Sequence, residues 1–183
     1  MQISACGYGE RLKVIQRTEH KIMKTWGQCG PPVVSVWCIT YNHKDYIGEA
    51  IDGFLMQETN FPIEIWIHDD ASTDGTREII ERYQLSYPRI IKTILQTKNQ
   101  YSAGKKPSSF LHGTSNAKYI AFCEGDDYWT DPTKIQKQVD FLESHPEYVI
   151  SGHDASIINQ HGTVTTKSRM LDDVRKDYDE FDV

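Results

Sequence analysis

The sequence lacks the marks of several large classes. No apolar run approaches the ~20 residues that a membrane-spanning helix needs. The first residues show no basic-then-apolar pattern of a secretory leader. Cysteine is scarce: Cys6, Cys29, Cys38 and Cys123 show no CxxC spacing. Cys38 and Cys123 lie inside apolar runs, where a free thiol packs as a small hydrophobe. A reduced, cytoplasmic setting fits, at most peripheral to the inner face of the membrane. There is no excess of positive charge: 20 Lys and Arg stand against 26 Asp and Glu, a net charge of −6. That balance argues against a general nucleic-acid binder. No GxxxxGK[ST] phosphate loop, no Ser/His/Asp or Cys/His motif spacing and no internal repeat is present.

What is present suits one globular domain. The chain has 183 residues, 38% hydrophobic and 25% charged, enough for a sizeable core. It is organised around Tyr119 to Trp129. The apolar run Tyr119–Cys123 reads as a buried strand and ends in Glu124, Gly125, Asp126 and Asp127. Clustered carboxylates repel one another and resist burial, and a cation at the strand end would relieve that cost. Mg²⁺ and Mn²⁺ take oxygen ligands and keep waters and substrate phosphates in their shell. Gly125 permits close backbone approach or a positive φ. The plainer reading is an acidic surface turn.

The rest of the chain alternates strands and helices. Met1 to Pro32 reads as an N-terminal extension, with some helical spacing between Glu10 and Trp26. Val33–Thr40 is a β-branched apolar strand buried on both faces. Tyr46, Ile47, Ala50, Ile51, Phe54 and Leu55 form one helical stripe. Ile63–Ile67 is a second strand. Ile79, Ile80 and Tyr83 line a helix that stops near Pro88. Ile90–Leu95 is a third strand, 98–107 a polar loop, and 108–117 holds a helical turn or two. Asp131 as N-cap with Pro132 at the first helical position opens the next helix, which His145-Pro146 ends. Tyr148–Ser151 is expected as a fifth strand. A hairpin turn at 160–162 leads into Thr163–Thr166. Beyond Ser168 the chain is a charged tail, expected to be exposed or disordered.

This order implies an α/β fold, a doubly wound, mostly parallel sheet flanked by helices. Ligands of such sheets bind beyond the C-terminal strand ends. Three strand ends carry polar clusters: Thr40-Tyr41-Asn42, His68-Asp69-Asp70 and Glu124-Gly125-Asp126-Asp127. On neighbouring strands they converge on one cleft. A metal at Asp126 and Asp127 could bridge a diphosphate and stabilise it as a leaving group. Asp69 or Asp70 could accept a nucleobase N–H, and Tyr41 could stack on the base. Each has a plainer role: Tyr41 covers the sheet edge, and Asp69 and Asp74 cap the next helix. His43 and His68 read as packing or hydrogen-bonding residues, since no second ligand stands at metal spacing.

These motifs resemble the large family of inverting glycosyltransferases with the GT-A fold, the family 2 type. The run Val34 to His43, then Asp45-Tyr46-Ile47 and Glu49-Ala50-Ile51, is similar to the family's opening. His68 to Thr76 resembles its second signature. Glu124-Gly125-Asp126-Asp127-Tyr128-Trp129, with Asp131-Pro132 and Lys134-Ile135-Gln136, resembles its DxD-type metal motif and the helix after it. The likeness runs from about Val33 to Asn159. It implies transfer of a sugar, from a UDP-sugar first, to a hydroxyl of a saccharide or lipid-linked acceptor, with inversion and with Mg or Mn. Thr40, Tyr41, Asn42, Asp69, Asp70, Lys105 (or Lys106) and Asp126 would hold the nucleotide, and Asp126 and Asp127 the metal. The implied divisions are 1–32, an extension; 33–167, the nucleotide-sugar-binding domain; and 168–183, the tail.

Two departures stand out. Glu124 replaces the usual Asp. The family's acceptor half, with its catalytic base, normally follows where this sequence stops, and Asp154 is a weak substitute. The chain is therefore expected to bind donor far better than it transfers sugar. An apolar edge is expected where that half would pack, for a homodimer or a partner chain to cover. The alternatives are a non-catalytic nucleotide-sugar-binding fragment and a metal-dependent nucleotidyltransferase.

Overall fold

The computed structural model describes residues 17–27, 30–159 and 161–169. They divide between a larger unit within Val14–His145 and a smaller one that begins at Pro146.

The larger unit holds a parallel sheet. Its strands are β1 (Val34–Thr40), β2 (Ile63–Asp69), β3 (Ile91–Leu95) and β4 (Tyr119–Glu124), in the order β3-β2-β1-β4. The helices are α1 (Glu19–Lys24), α2 (Ile47–Leu55), α3 (Thr76–Ser86) and α4 (Lys134–Ser144), with a short 3-10 turn at Pro107–Phe110. Register sorts the strand residues by face. Val34, Val36 and Cys38 share one face with Ile63, Ile65 and Ile67, and with Ala121 and Cys123. That face supplies the strand part of the core, closed by Ile47, Ala50, Ile51 and Phe54 of α2, Ile80 of α3 and Ile135 and Val139 of α4. β1 is central and almost wholly buried, as its apolar run implied.

α1 is part of this unit. Ile22 is buried in the same core, and Met23 and Trp26 pack against it. This much of the N-terminal stretch packs on the domain, where the sequence suggested only an extension. A six-residue helix with one apolar stripe gives little periodic signal.

The opposite face of the sheet is less covered. Leu111 is buried there, Phe110 stacks on His68 at 5.3 Å, and His112 meets Trp37 edge-on at 5.4 Å. β4 lies at the edge of this sheet, and its residues alternate between half-buried and exposed. Ile120 and Phe122 stand 46% and 59% exposed. The expectation of a buried strand at Tyr119–Cys123 is therefore corrected. An apolar run does not report which strand lies at an edge.

Two further boundaries differ. Helix α4 starts at Lys134, because Asp131 and Pro132 form a turn first, with Lys134 N–H donating to Asp131 O at 3.2 Å. Asp131 acts on that turn, accepting from the Thr133 N–H at 2.8 Å and the Thr133 hydroxyl at 2.7 Å. The expected strand at Tyr148–Ser151 does not form. Val149 and Ile150 are 87% and 79% exposed, and no described strand pairs with them. A strand exists only through its ladder. In the smaller unit that ladder forms later, between β5 (Ile157–Ile158) and β6 (Val164–Thr166), the expected hairpin.

Gln57 locks α2 to the start of α4. This buried amide donates to Gly53 O at 3.2 Å and Asp131 O at 2.9 Å, and accepts from Ile135 N–H at 3.1 Å. Gln57→Leu keeps the bulk and strands a buried donor and a carbonyl. The expected cost is about 2–4 kcal/mol, read as a lower urea midpoint at unchanged slope. An unchanged midpoint would show that the lock contributes nothing.

Candidate functional site

The parallel registers bring three strand ends to one rim. Thr40 pairs with Asp69, and Ile39 with both His68 and Glu124. Backbone bonds carry the contact one residue further: Asp70 N–H donates to Thr40 O at 3.0 Å, and Gly125 N–H to Ile39 O at 2.9 Å. The three polar clusters therefore converge as the alternating pattern implied.

The loop after β1 and the loop after β2 are laced together. Asn42 adopts φ 55° and Ala71 φ 66°, both in the left-handed region. Asn42 N–H donates to Ser72 Oγ at 2.8 Å, and Asn42 Oδ1 accepts from Thr73 N–H at 2.9 Å. Asp69, fully buried, accepts from the Ser72 N–H at 3.2 Å and from the Ser72 hydroxyl. The N-cap of α3 is Gly75, not Asp74; Asp74 stands one residue before it, taking the Thr76 N–H at 3.0 Å and the Lys44 N–H at 3.0 Å. Burial alone would raise the Asp74 pKa, but the bonds from Thr76 and Lys44 hold it below the usual carboxylate value. Ser72 links both loops, a role beyond its place in the signature from His68 to Thr76.

Asp70 is 2% exposed. One carboxylate oxygen accepts the Gln100 N–H at 2.7 Å and the other the Tyr101 N–H at 3.0 Å. A carboxylate has about four acceptor sites, so lone pairs remain for a ligand. Tyr41, 45% exposed, follows Thr40, whose carbonyl accepts the Asp70 N–H. Lys105 and Lys106 are exposed, with the Lys105 ammonium 5.9 Å from the Phe110 ring centroid.

The acidic turn is seated on Thr40. Thr40 is 1% exposed and its hydroxyl has no hydrogen-bond partner. A Cβ on Gly125 would lie 2.5 Å from Thr40 Oγ1 and 3.1 Å from His43 Nδ1. Close approach, not positive φ, is what glycine serves here. Glu124, Asp126 and Asp127 are exposed, so no burial penalty needs relief. Asp126 Oδ1 stands 3.8 Å from His43 Nδ1, which itself is buried without a hydrogen bond. Among the described residues no three His, Cys, Asp or Glu side chains gather as a metal-holding group. The donor set of Asp126 and Asp127 still fits a hard cation that takes its other ligands from water and a diphosphate.

A cleft of about 220 Å³ adjoins this turn, lined by Trp37, Ile39, Phe122, Cys123, Glu124 and Asp127. Burial, then the Asp127 charge, pushes the Cys123 thiol up to about 12. Burial also raises Cys38 well above its ordinary value. A larger depression, about 520 Å³, is lined by Arg17, Glu58 and Asp140 and lies away from the strand ends. Size does not outweigh the convergence of polar groups here. In the smaller unit, Asp154 Oδ1 accepts the Ala155 N–H at 2.8 Å and the Arg169 N–H at 3.0 Å, closing the base of the hairpin.

Behind the turn, Trp129 packs on Phe54 at 4.9 Å, and the Lys134 ammonium lies 4.2 Å from the Trp129 ring centroid. Burial lowers Lys134 to about 8. Its folded pKa lies below the unfolded 10.5, so the unfolded chain binds more protons between these values and stability rises with pH there. The stability advantage of Lys134→Met is therefore expected to shrink between pH 8 and 10.5, read by urea unfolding. An advantage independent of pH would contradict the burial.

The family model for glycosyl transferase family 2 matches residues 35–180. An uncharacterized protein of Mycobacterium tuberculosis is 45% identical over 130 residues, which are 70% of this chain and 37% of that protein. The putative glycosyltransferase EpsE of Bacillus subtilis is 36% identical over 132 residues, 72% of this chain and 46% of EpsE. The chain thus spans less than half the length of these relatives. Among solved structures, Staphylococcus aureus TarS 1–349 in complex with UDP-GlcNAc superimposes with a TM-score of 0.53 at 28% identity, covering 62% of this chain and 32% of that one.

Proposed function

The chain belongs to glycosyl transferase family 2, and from that premise we propose that it binds a nucleotide-sugar donor for an inverting, divalent-cation-dependent sugar transfer. The observation that carries the reading is the seat of the acidic turn. Gly125 lies against the buried, unpartnered Thr40 hydroxyl while Asp70 is bonded to Thr40 O. Base-side and phosphate-side groups thus share one rim.

In this reading Thr40, Tyr41, Asn42 and Asp70 hold the base and ribose side. Asp69 acts indirectly, keeping Ser72 against Asn42. Asp126 and Asp127 hold Mg²⁺ or Mn²⁺, which supplies charge neutralisation for the departing diphosphate. Lys105 stands on the loop that Asp70 anchors and is assigned to a phosphate in this reading. UDP is the first nucleotide to try, since UDP-GlcNAc is what the TarS structure holds. The acceptor is a hydroxyl of a saccharide or of a lipid-linked saccharide. The residues of the proposed site all lie in the larger unit, within Val14–His145, inside the 33–167 expected to bind the donor. Asp154 is not proposed as the base, because its carboxylate already holds the hairpin.

Calorimetric titration with UDP, GDP, CDP and dTDP, each with Mn²⁺ and with EDTA, tests this. One nucleotide is expected to bind selectively, and only with the metal. Binding of none, or equal binding in EDTA, would refute it.

A further inference from the structure

The loop after β3 offers a residue that the donor reading does not yet use. Tyr101 is 73% exposed, yet its backbone is tightly held. Its N–H donates to one oxygen of the buried Asp70 at 3.0 Å, and the neighbouring Gln100 N–H donates to the other at 2.7 Å. The loop is also tied within itself. Gly104 N–H donates to Tyr101 O at 2.9 Å, Lys105 N–H to Gln100 O at 3.0 Å, and Ser102 N–H to Asn99 Oδ1 at 2.6 Å. A large aromatic ring thus projects from a loop whose main chain is fixed.

Asp70 joins this loop to a second exposed tyrosine. Its own N–H donates to Thr40 O at 3.0 Å, and Tyr41 is the next residue in the chain. Tyr41 and Tyr101 are therefore hung from opposite ends of one buried aspartate, 45% and 73% exposed. Exposed tyrosines on fixed backbone lose little freedom on binding, since two χ angles describe each ring. An aromatic face suits any nucleobase.

We infer that Tyr101 is a second stacking residue for the nucleobase, facing the base together with Tyr41, and that Asp70 is the positioning residue that holds it there. The inference rests on the donor reading. It assigns to Asp70 a task that is separate from direct contact with the base.

The test uses the full chain with Mn²⁺ and two probes, UDP and inorganic pyrophosphate, which has no base. Tyr101→Ala is expected to weaken UDP by about 5- to 150-fold and to leave pyrophosphate unchanged. Tyr101→Phe, which keeps the ring, is expected to bind UDP like the unaltered chain. Asp70→Asn is expected to speed hydrogen exchange at the Gln100 and Tyr101 amides. Unchanged UDP affinity in Tyr101→Ala would overturn the inference while leaving the donor reading standing. Equal losses for UDP and pyrophosphate would also overturn it, as would unchanged exchange at the Gln100 and Tyr101 amides in Asp70→Asn. If the unaltered chain binds neither UDP nor GDP, CDP or dTDP, the donor reading fails and this inference fails with it.

Discussion

Asp127→Ala is expected to abolish metal-dependent UDP binding while leaving the fold intact. Asp127 is exposed at the end of an edge strand and belongs to no core cluster. Its main chain keeps its own bonds in the variant: its N–H donates to Glu124 O at 3.2 Å, and its O accepts the Cys123 thiol at 3.6 Å. Truncation therefore removes an anionic oxygen pair and little packing. Losing an outer-shell partner of a metal typically costs ~10–100-fold in affinity, and losing a ligand itself should cost more. Asp126→Ala is expected to weaken binding less, because its carboxylate is shared with His43 at 3.8 Å. Full UDP affinity in Asp127→Ala, or an unfolded variant, would contradict this assignment.

Gly125→Ala is expected to have the second-largest effect, through shape alone. The added Cβ would lie 2.5 Å from Thr40 Oγ1 and 2.7 Å from Thr40 Cβ. Thr40 has no room to yield, being 1% exposed at the end of the central strand. The turn that carries Asp126 and Asp127 must move instead. Overpacking of this kind typically costs about 1–3 kcal/mol of stability, and nucleotide binding should be lost with the displaced turn. Thr40→Gly in the same chain removes the clashing atoms and should restore much of the stability. Restoration of binding should be incomplete, because the Thr40 hydroxyl would be gone. Wild-type binding in Gly125→Ala alone would show that the turn is not seated as described.

Much of this architecture was legible because its causes are local. The β-branched run at Val33–Thr40 reads as a strand buried on both faces, and Val34–Thr40 is buried along nearly all its length. The stripe Tyr46, Ile47, Ala50, Ile51, Phe54 and Leu55 reads as a helix face, and all of it but the exposed N-cap Tyr46 lies in the core. The strand-end clusters could be named from the sequence because a parallel α/β sheet places such ends together. What failed depended on neighbours. The run at Tyr119–Cys123 has no residue that says it lies at an edge. Tyr148–Ser151 has strand composition but no described ladder partner. The strongest contacts of Asp70 are with main-chain N–H groups of residues 30 and 31 positions away, and every non-proline residue carries that donor. No sequence motif could have marked them. Gly125 was marked as special, but only the packing decided between close approach and a left-handed backbone.

The central claim is that the C-terminal ends of β1, β2 and β4 form the nucleotide site. Backbone amide chemical shifts, recorded while UDP and Mg²⁺ are titrated into the full chain, test it most directly. The account predicts that the largest changes cluster at residues 40–43, 69–74, 100–101 and 124–127. Changes centred instead on the depression by Arg17, Glu58 and Asp140, or no changes at saturating UDP, would contradict it.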